Sequence, residues 1–270
     1  MNMEPKMIVL DLDGTTLNNA RKVDPELSDY LQALRKKGIL VCIATGRTMY
    51  EMRLAIPIDF EVDGIINSNG MNVHFGGKEI YRESIEAKAV ETLVDLSLVH
   101  EIHHEIHHHD GRTTAKISPM RDRAHELTVH GYTSPEWTKD VDTKAVEKIL
   151  FFKENHDILA DFLGELRILE KILPFTAAFS AIDLIDISGR HITKATGVAK
   201  ILEENHLSFA DVIAFGDGGN DLPLFHKAGR SVAMKNAPLW VQEQATEVTE
   251  YTNNELGLLK HLQGIYGLNP

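Results

Sequence analysis

The sequence predicts an α/β fold, a core built on a doubly wound parallel sheet with a smaller α+β domain inserted into it. Three observations predict it. Short apolar runs alternate with amphipathic helical stretches near both ends of the 270-residue chain, the order that builds a parallel sheet covered by helices on both faces. Several of these runs stop at polar clusters, and ligands of such sheets sit outside the carboxyl ends of the strands. The middle of the chain carries hairpin and mixed helix patterns instead, over a length typical of a domain.

Taken in order, Met7–Leu10 reads as a buried strand that runs into Asp11 and Asp13, with Gly14 turning the chain. Side chains on a strand repeat with a period of two, so both aspartates are expected on one side of its carboxyl end. Two anions this close in a partly dry site call for a cation or a positive side chain. Asp24-Pro25-Glu26 supplies an N-cap and a proline at the first helical position, Leu27, Tyr30, Leu31 and Leu34 follow at helical spacing, and Lys36-Lys37-Gly38 ends the helix. Residues 39–44 form a second strand running into Thr45-Gly46-Arg47, and Gly64–Asn67 a third running into Ser68-Asn69-Gly70. The order returns near the end with a helix carrying Val198, Ile201 and Leu202 on one face, a strand at 212–215 running into GDGGND, and a strand at 231–234.

Between these halves, residues 86–98 read as a helix, IHHEIHHHDGRTTAKIS as a hairpin turning on Asp110-Gly111, 148–152 as a strand, 157–169 as a helix and 175–188 as one or two strands. The core is thus expected over 1–82 and 186–270, and the inserted α+β domain over 83–185. Spacing supports the insertion. About thirty residues separate Asp13 from Thr45, room for one helix and one strand, whereas about 150 separate Thr45 from Lys194. A βα unit takes a few dozen of those, and the excess of roughly 100 is a domain. Placed there, it is expected to act as a cap that excludes water and chooses the leaving group, through side chains such as Tyr132, Trp137 and the histidines. HEIHH occurs twice, from His100 and from His104, each a formal match to the zinc-binding H-E-x-x-H. That motif works on a helix. The isoleucines and the Asp110-Gly111 turn favour a strand with exposed hairpin faces.

A net charge of -12 provides no basic field to gather nucleic acid or anionic lipid, so phosphate binding has to be local. The single Cys42 lies in an apolar run, which excludes a disulfide within the chain and points to a buried thiol in a reducing compartment. The N-terminal stretch has no signal-peptide hydrophobic region, and no apolar run approaches the roughly 18 residues of a membrane span. The expected location is the cytoplasm.

Four polar clusters fall at or beside strand ends: Asp11 with Asp13, Thr45, Lys194, and Asp217 with Asn220 and Asp221. Converging carboxylates make an oxygen-rich site suited to Mg²⁺, which shares its shell with water and phosphate. Lys194, the Thr45 hydroxyl and the Asn220 amide can hold phosphate oxygens. DLDGTTL, the Thr45 of IATGR, the Lys194 of ITKATG and GDGGND at 216–221 resemble, in order, the four motifs of the haloacid dehalogenase-like (HAD) phosphatases, whose core is Rossmann-like. GDGGND, the NAPLWVQ stretch from Asn236 and the late middle domain resemble the Cof-type branch, type IIB, with the cap after the second motif. Lys194-Ala195 stands where many relatives have Lys-Gly, which leaves the lysine intact.

The resemblance implies that Asp11 is the nucleophile forming an aspartyl phosphate, and that Asp13 is the acid for the leaving alcohol and then the base for water. It implies metal ligation by Asp11, the Asp13 main-chain carbonyl and Asp217, with Asp221 acting through water or behind the ligands, and phosphoryl binding by Thr45, Lys194 and Asn220. Arg47 and Asn69, also at strand ends, are candidates for substrate contact. The implied partner is a small phosphorylated metabolite, sugar phosphates foremost, and oligomeric state is not legible. A phosphomutase of the same superfamily is the alternative, since sugar phosphate alone would give inorganic phosphate with a hydrolase and an isomer with a mutase. A non-catalytic phospho-receiver also uses aspartates, a hydroxyl and a lysine. The second carboxylate two residues after the nucleophile, and a cap, argue for turnover instead. A nicotinamide-binding loop is disfavoured because Asp217 and Asp221 would repel a pyrophosphate.

Overall fold

The computed structural model describes residues 4–117 and 135–267. The chain divides into two compact units, one of Met1–Arg47, Met52–Arg82 and Thr193–Pro270, the other of Thr48–Glu51 and Glu83–Ile192. In chain order the first unit contains β1 (Met7–Leu10), α1 (Pro25–Lys36), β2 (Leu40–Ala44), most of α2 (Met49–Ala55), β3 (Gly64–Asn67), β4 (Asn72–Phe75) and β5 (Lys78–Arg82). The second contains α3 (Ala87–Val99), β6 (His103–His108), β7 (Thr113–Lys116), β8 (Glu136–Thr138), β9 (Val146–Phe152), α4 (His156–Leu169), β10 (Phe175–Ala181) and β11 (Leu184–Gly189). The chain then returns to the first through α5 (Lys194–Glu204), β12 (Val212–Gly216), α6 (Leu222–Phe225), β13 (Arg230–Ala233), α7 (Leu239–Gln242), β14 (Glu247–Val248) and α8 (Gly257–Tyr266).

The larger sheet runs β14-β13-β12-β1-β2-β3-β4-β5. From β14 to β3 every pairing is parallel, and Met7–Leu10 is hydrogen-bonded on both sides, to β12 and to β2. A central strand buried on both faces has to be apolar at every position, which is why MIVL shows no alternation. Period two still sorts it: Met7 and Val9 pack with Val198, Ile201 and Leu202 of α5. On the opposite face the Phe215 ring of β12 meets His261 of α8, and Tyr30 of α1 donates to the Leu262 carbonyl at 3.2 Å. Each fully buried Val, Leu or Ile contributes about 1.5–3 kcal/mol. The doubly wound parallel core is as expected. β4 and β5 are an addition, an antiparallel hairpin turning on Gly76 and Gly77, both with positive φ (55° and 76°). Gly-Gly between two short alternating runs is a hairpin signal, distinct from the βα alternation of the rest of the core.

The smaller sheet runs β10-β11-β9-β6-β7-β8 and is antiparallel except for the parallel β7–β8 pair. The expected limit at 185 falls inside β11, whose residues pair with β9 and β10, and this is why the segment grouped with this sheet extends to Ile192. Both helices lie on one face, Ser97 of α3 against His104 and Phe162 of α4 against Phe151.

The second HEIHH, from His104, is strand rather than helix, as expected, while the first begins at the C-cap of α3 and enters β6 only at His103; the faces of β6 are not exposed. His103, His104, His107 and His108 are all buried. Period two sends His104 and His108 to the helix side and His103 and His107 to the other. His104 donates through Nδ1 to Ser97 Oγ (3.1 Å), which donates to the Val94 carbonyl, while Nε2 accepts from the Lys116 N–H (3.1 Å). Burial, then the neighbouring His103 and Lys116, push its pKa down to about 3. The native ring therefore stays neutral in the range where the unfolded chain binds a proton. Stability from His104 is complete above about pH 6.5 and is lost progressively from there down to about 3, at up to about 1.4 kcal/mol per pH unit. Urea unfolding at pH 7 and pH 5 should show about 2 kcal/mol of this loss in the parent protein and clearly less in His104→Gln. Equal losses in both would mean that the buried ring is not a neutral acceptor.

Candidate active site

β1 ends at Leu10, and Asp11 to Thr16 form an irregular turn in which Asp13 is extended and Gly14 has φ 72°. The period-two argument therefore stops before Asp13. Asp11 is buried, whereas the Asp13 side chain is 56% exposed. Only glycine fits at position 14, because a Cβ there would lie 2.1 Å from Asp217 Oδ2.

The two aspartates have different partners. Lys194, at the start of α5 and fully buried, donates from Nζ to Asp11 Oδ1 (2.5 Å) and to Asp221 Oδ1 (2.7 Å). Arg47 donates from Nε and Nη2 to the two oxygens of Asp13, 2.7 Å each, in the bidentate form that suits a planar guanidinium. Asp221 Oδ2 accepts the N–H groups of Asp217 and Gly218, each at 3.0 Å. Its carboxylate thus organises the loop that presents Asp217. Asp11, Asp217 and Asp221 bring ligand oxygens within 4.8 Å of one another, the one such set of three or more His, Cys, Asp or Glu among the described residues. The histidine strand supplies none.

Two buried carboxylates and the half-buried Asp217 face one lysine. Burial raises the Asp11 pKa well above the ordinary carboxylate value, Lys194 opposes this, and Asp221, Asp217 and Asp13 add to the rise. Burial and then Asp221 push Asp217 up to about 7. Burial works against the charge of Lys194, yet Asp11 and Asp221 outweigh it and raise its pKa. The cluster is short of positive charge. Its oxygen-only donors fit a hard divalent cation of the magnesium type.

Thr45, at the end of β2, is buried; its hydroxyl accepts the Arg47 N–H (3.1 Å), and its carbonyl accepts the Asn69 N–H (2.9 Å). Ser68 and Asn69 both adopt positive φ (47° and 55°), and Asn69 Oδ1 accepts from Asn220 Nδ2 at 3.0 Å. Asparagine tolerates that conformation best among side chains with a Cβ. The candidate catalytic, phosphate-binding and metal residues, with Arg47 and Asn69, thus lie at or just after the carboxyl ends of β1, β2, β3 and β12 or on α5. Three neighbours were not singled out: Thr16, whose hydroxyl donates to the Asp11 carbonyl (2.5 Å), Thr15 (3.5 Å from Asp217 Oδ1) and Asn236. Asn236 Nδ2 donates to the Gly14 carbonyl (2.8 Å) and lies 3.4 Å from Asp217 Oδ2. Its signal was present as the first residue of NAPLWVQ, with no role attached.

Haloacid dehalogenase-like hydrolases match this chain over residues 8–262. A 5-amino-6-(5-phospho-D-ribitylamino)uracil phosphatase of Bacillus subtilis is 28% identical, covering 99% of this chain and 100% of its own. An HMP-PP phosphatase of Klebsiella pneumoniae is 26% identical over 86% of this chain and 85% of its own. Among solved structures, a haloacid dehalogenase-like hydrolase of Bacteroides thetaiotaomicron superposes with a TM-score of 0.79 at 25% identity, covering 97% of this chain and 100% of that one. No helix among the described residues is long and apolar enough to cross a membrane.

Proposed function

This chain belongs to the haloacid dehalogenase-like hydrolases, as a phosphatase, and we propose that it removes phosphate from small phosphorylated metabolites, sugar phosphates foremost, through an aspartyl phosphate on Asp11 and with Mg²⁺. The observation that carries the proposal is the Asp11–Lys194–Asp221 contact beside Asp217, a buried nucleophile candidate within a carboxylate cluster that lacks positive charge. Asp11, Asp217 and the Asp13 carbonyl are the proposed ligands, with Asp221 behind them. When bound there, the ion supplies neutralisation for the carboxylates and the phosphoryl oxygens.

The chain's own residues do the rest. A carboxylate oxygen of Asp11 attacks phosphorus as the ester P–O bond breaks, and Asp13 protonates the departing oxygen. Asp13 then takes a proton from water as that water attacks the acyl phosphate, releasing inorganic phosphate and restoring Asp11. Lys194 holds Asp11 in one orientation and, with the Thr45 hydroxyl and the Asn220 amide, is proposed to hold phosphoryl oxygens. The bidentate Arg47 contact orients Asp13, and the pair has to open for the proton to pass. The inserted unit, residues 83–185 as read from the sequence, is proposed to select the leaving group; of the side chains named for this, Trp137 is on β8 and Tyr132 lies outside the described residues.

A screen of phosphate esters with Mg²⁺, reading phosphate release, tests the function directly. For the acid, Asp13→Asn should cost about 10²–10⁴-fold with alkyl phosphates. The loss should be much smaller with p-nitrophenyl phosphate, whose leaving group needs no proton. Equal losses for both ester types would remove Asp13 from that role.

A further inference from the structure

Two of the proposed cation ligands come from separate turns, the Asp13 carbonyl from the turn after β1 and the Asp217 carboxylate from the loop after β12. A small hard cation needs them at a fixed separation, so the two turns have to be tied together. Part of the tie is close packing, since a Cβ on Gly14 would collide with Asp217 Oδ2. The other part is Asn236. Its Nδ2 donates to the Gly14 carbonyl at 2.8 Å and reaches Asp217 Oδ2 at 3.4 Å, so one amide spans both turns. Among the described residues, the side chains that hydrogen-bond the Asp217 carboxylate are neutral, Asn236 and, at 3.5 Å, Thr15.

Asn236 is itself held from the other side. Its Oδ1 accepts the Asn253 N–H at 3.0 Å, which fixes the orientation of the amide and leaves Nδ2 towards the turns. Asn253 Nδ2 donates in turn to the Leu17 carbonyl at 2.9 Å. The main chain around Asn236 is anchored as well: the Met234 N–H donates to the Gly216 carbonyl (3.0 Å) and the Lys235 N–H to the Thr249 hydroxyl (2.9 Å). Asn236 is exposed, so its hydrogen bonds compete with water and add little stability. What they fix is direction.

We propose that Asn236 is a positioning residue of the cation site, holding the Asp217 carboxylate and the Gly14 turn at the separation that a small divalent cation requires. The inference rests on the Mg²⁺ site proposed above and adds a residue that has no part in it there. Groups that orient metal ligands typically change affinity by about 10–100-fold when they are removed. Asn236 carries no charge, so replacing it leaves the charges of the carboxylates as they are and changes how freely they move. Mg²⁺ demands near-ideal octahedral geometry with short bonds, whereas Ca²⁺ accepts longer and less regular coordination. A looser pair of turns should therefore cost Mg²⁺ more than Ca²⁺.

The test is calorimetric titration of the full chain with Mg²⁺ and, separately, with Ca²⁺, in the absence of any substrate. Asn236→Ala is expected to raise the Mg²⁺ Kd by about 10-fold or more and the Ca²⁺ Kd much less, so that the preference for Mg²⁺ narrows. Thermal unfolding in EDTA should stay close to that of the parent, which a merely structural role for this side chain would not allow together with a selective loss of Mg²⁺. Should the alanine variant fail to fold, Asn236→Ser decides by the same two titrations, its side chain being too short to span both turns. An unchanged Mg²⁺ Kd, or equal losses for the two ions, overturns the positioning role. A parent chain that binds no Mg²⁺ overturns the Mg²⁺ site itself, and the positioning role with it.

Discussion

Asp11→Asn is expected to reduce phosphate release on the order of 10⁴-fold or more, the scale at which loss of a covalent nucleophile shows. An amide can neither attack phosphorus nor carry it as an acyl phosphate. The fold should persist, for Lys194 keeps its contact with Asp221 at 2.7 Å and the replacement removes one of three crowded carboxylates. The burial that raises the Asp11 pKa also means that its charge is disfavoured in the native state, so the amide is no worse a tenant of the position. Circular dichroism and thermal unfolding check the fold, and intact-mass analysis of acid-quenched parent enzyme should show a phosphoryl adduct on the peptide containing Asp11. Normal turnover by the variant would exclude the covalent route.

Removing divalent cations is expected to abolish turnover, with activity restored by added Mg²⁺. The oxygens of Asp11, Asp217 and Asp221 lie within 4.8 Å of one another, and the phosphoryl group brings further negative charge to that point. At an effective dielectric of about 20, two unit charges about 4 Å apart repel by about 4 kcal/mol, which in the barrier to attack is roughly 10³-fold in rate. Lys194 alone cannot balance the set. Asp217→Asn should retain some activity but need a much higher Mg²⁺ concentration for half-maximal rate, since it removes a ligand without touching the attacking carboxylate. Full activity on p-nitrophenyl phosphate after exhaustive chelation would contradict this account of the site.

Much of the core was legible because its signals are local. Met7–Leu10 and Gly64–Asn67 coincide with strands of the sheet, and α1 begins at the proline after Asp24, whose carboxylate accepts the Glu26 N–H as an N-cap does. Strand ends in a doubly wound sheet gather on one edge, so polar clusters following apolar runs could be expected to meet without knowledge of their distances. The β4–β5 hairpin carries its signal in Gly76-Gly77, but it falls outside the alternation of strands and helices because its two strands pair without a helix between them.

By itself, then, the sequence determined which residues end each strand, the alternation of faces along β6 and the long insertion between Thr45 and Lys194, since all three follow from chain geometry over a few residues or from counting. Only the tertiary structure decided that Lys194 reaches Asp11 and Asp221 while Arg47 takes Asp13, because those contacts depend on which strands are neighbours and how the turn at Gly14 splits the aspartates. It also decided that the histidines are buried. Alternation says which residues share a face but not what lies against it, and burial is a property of the neighbours.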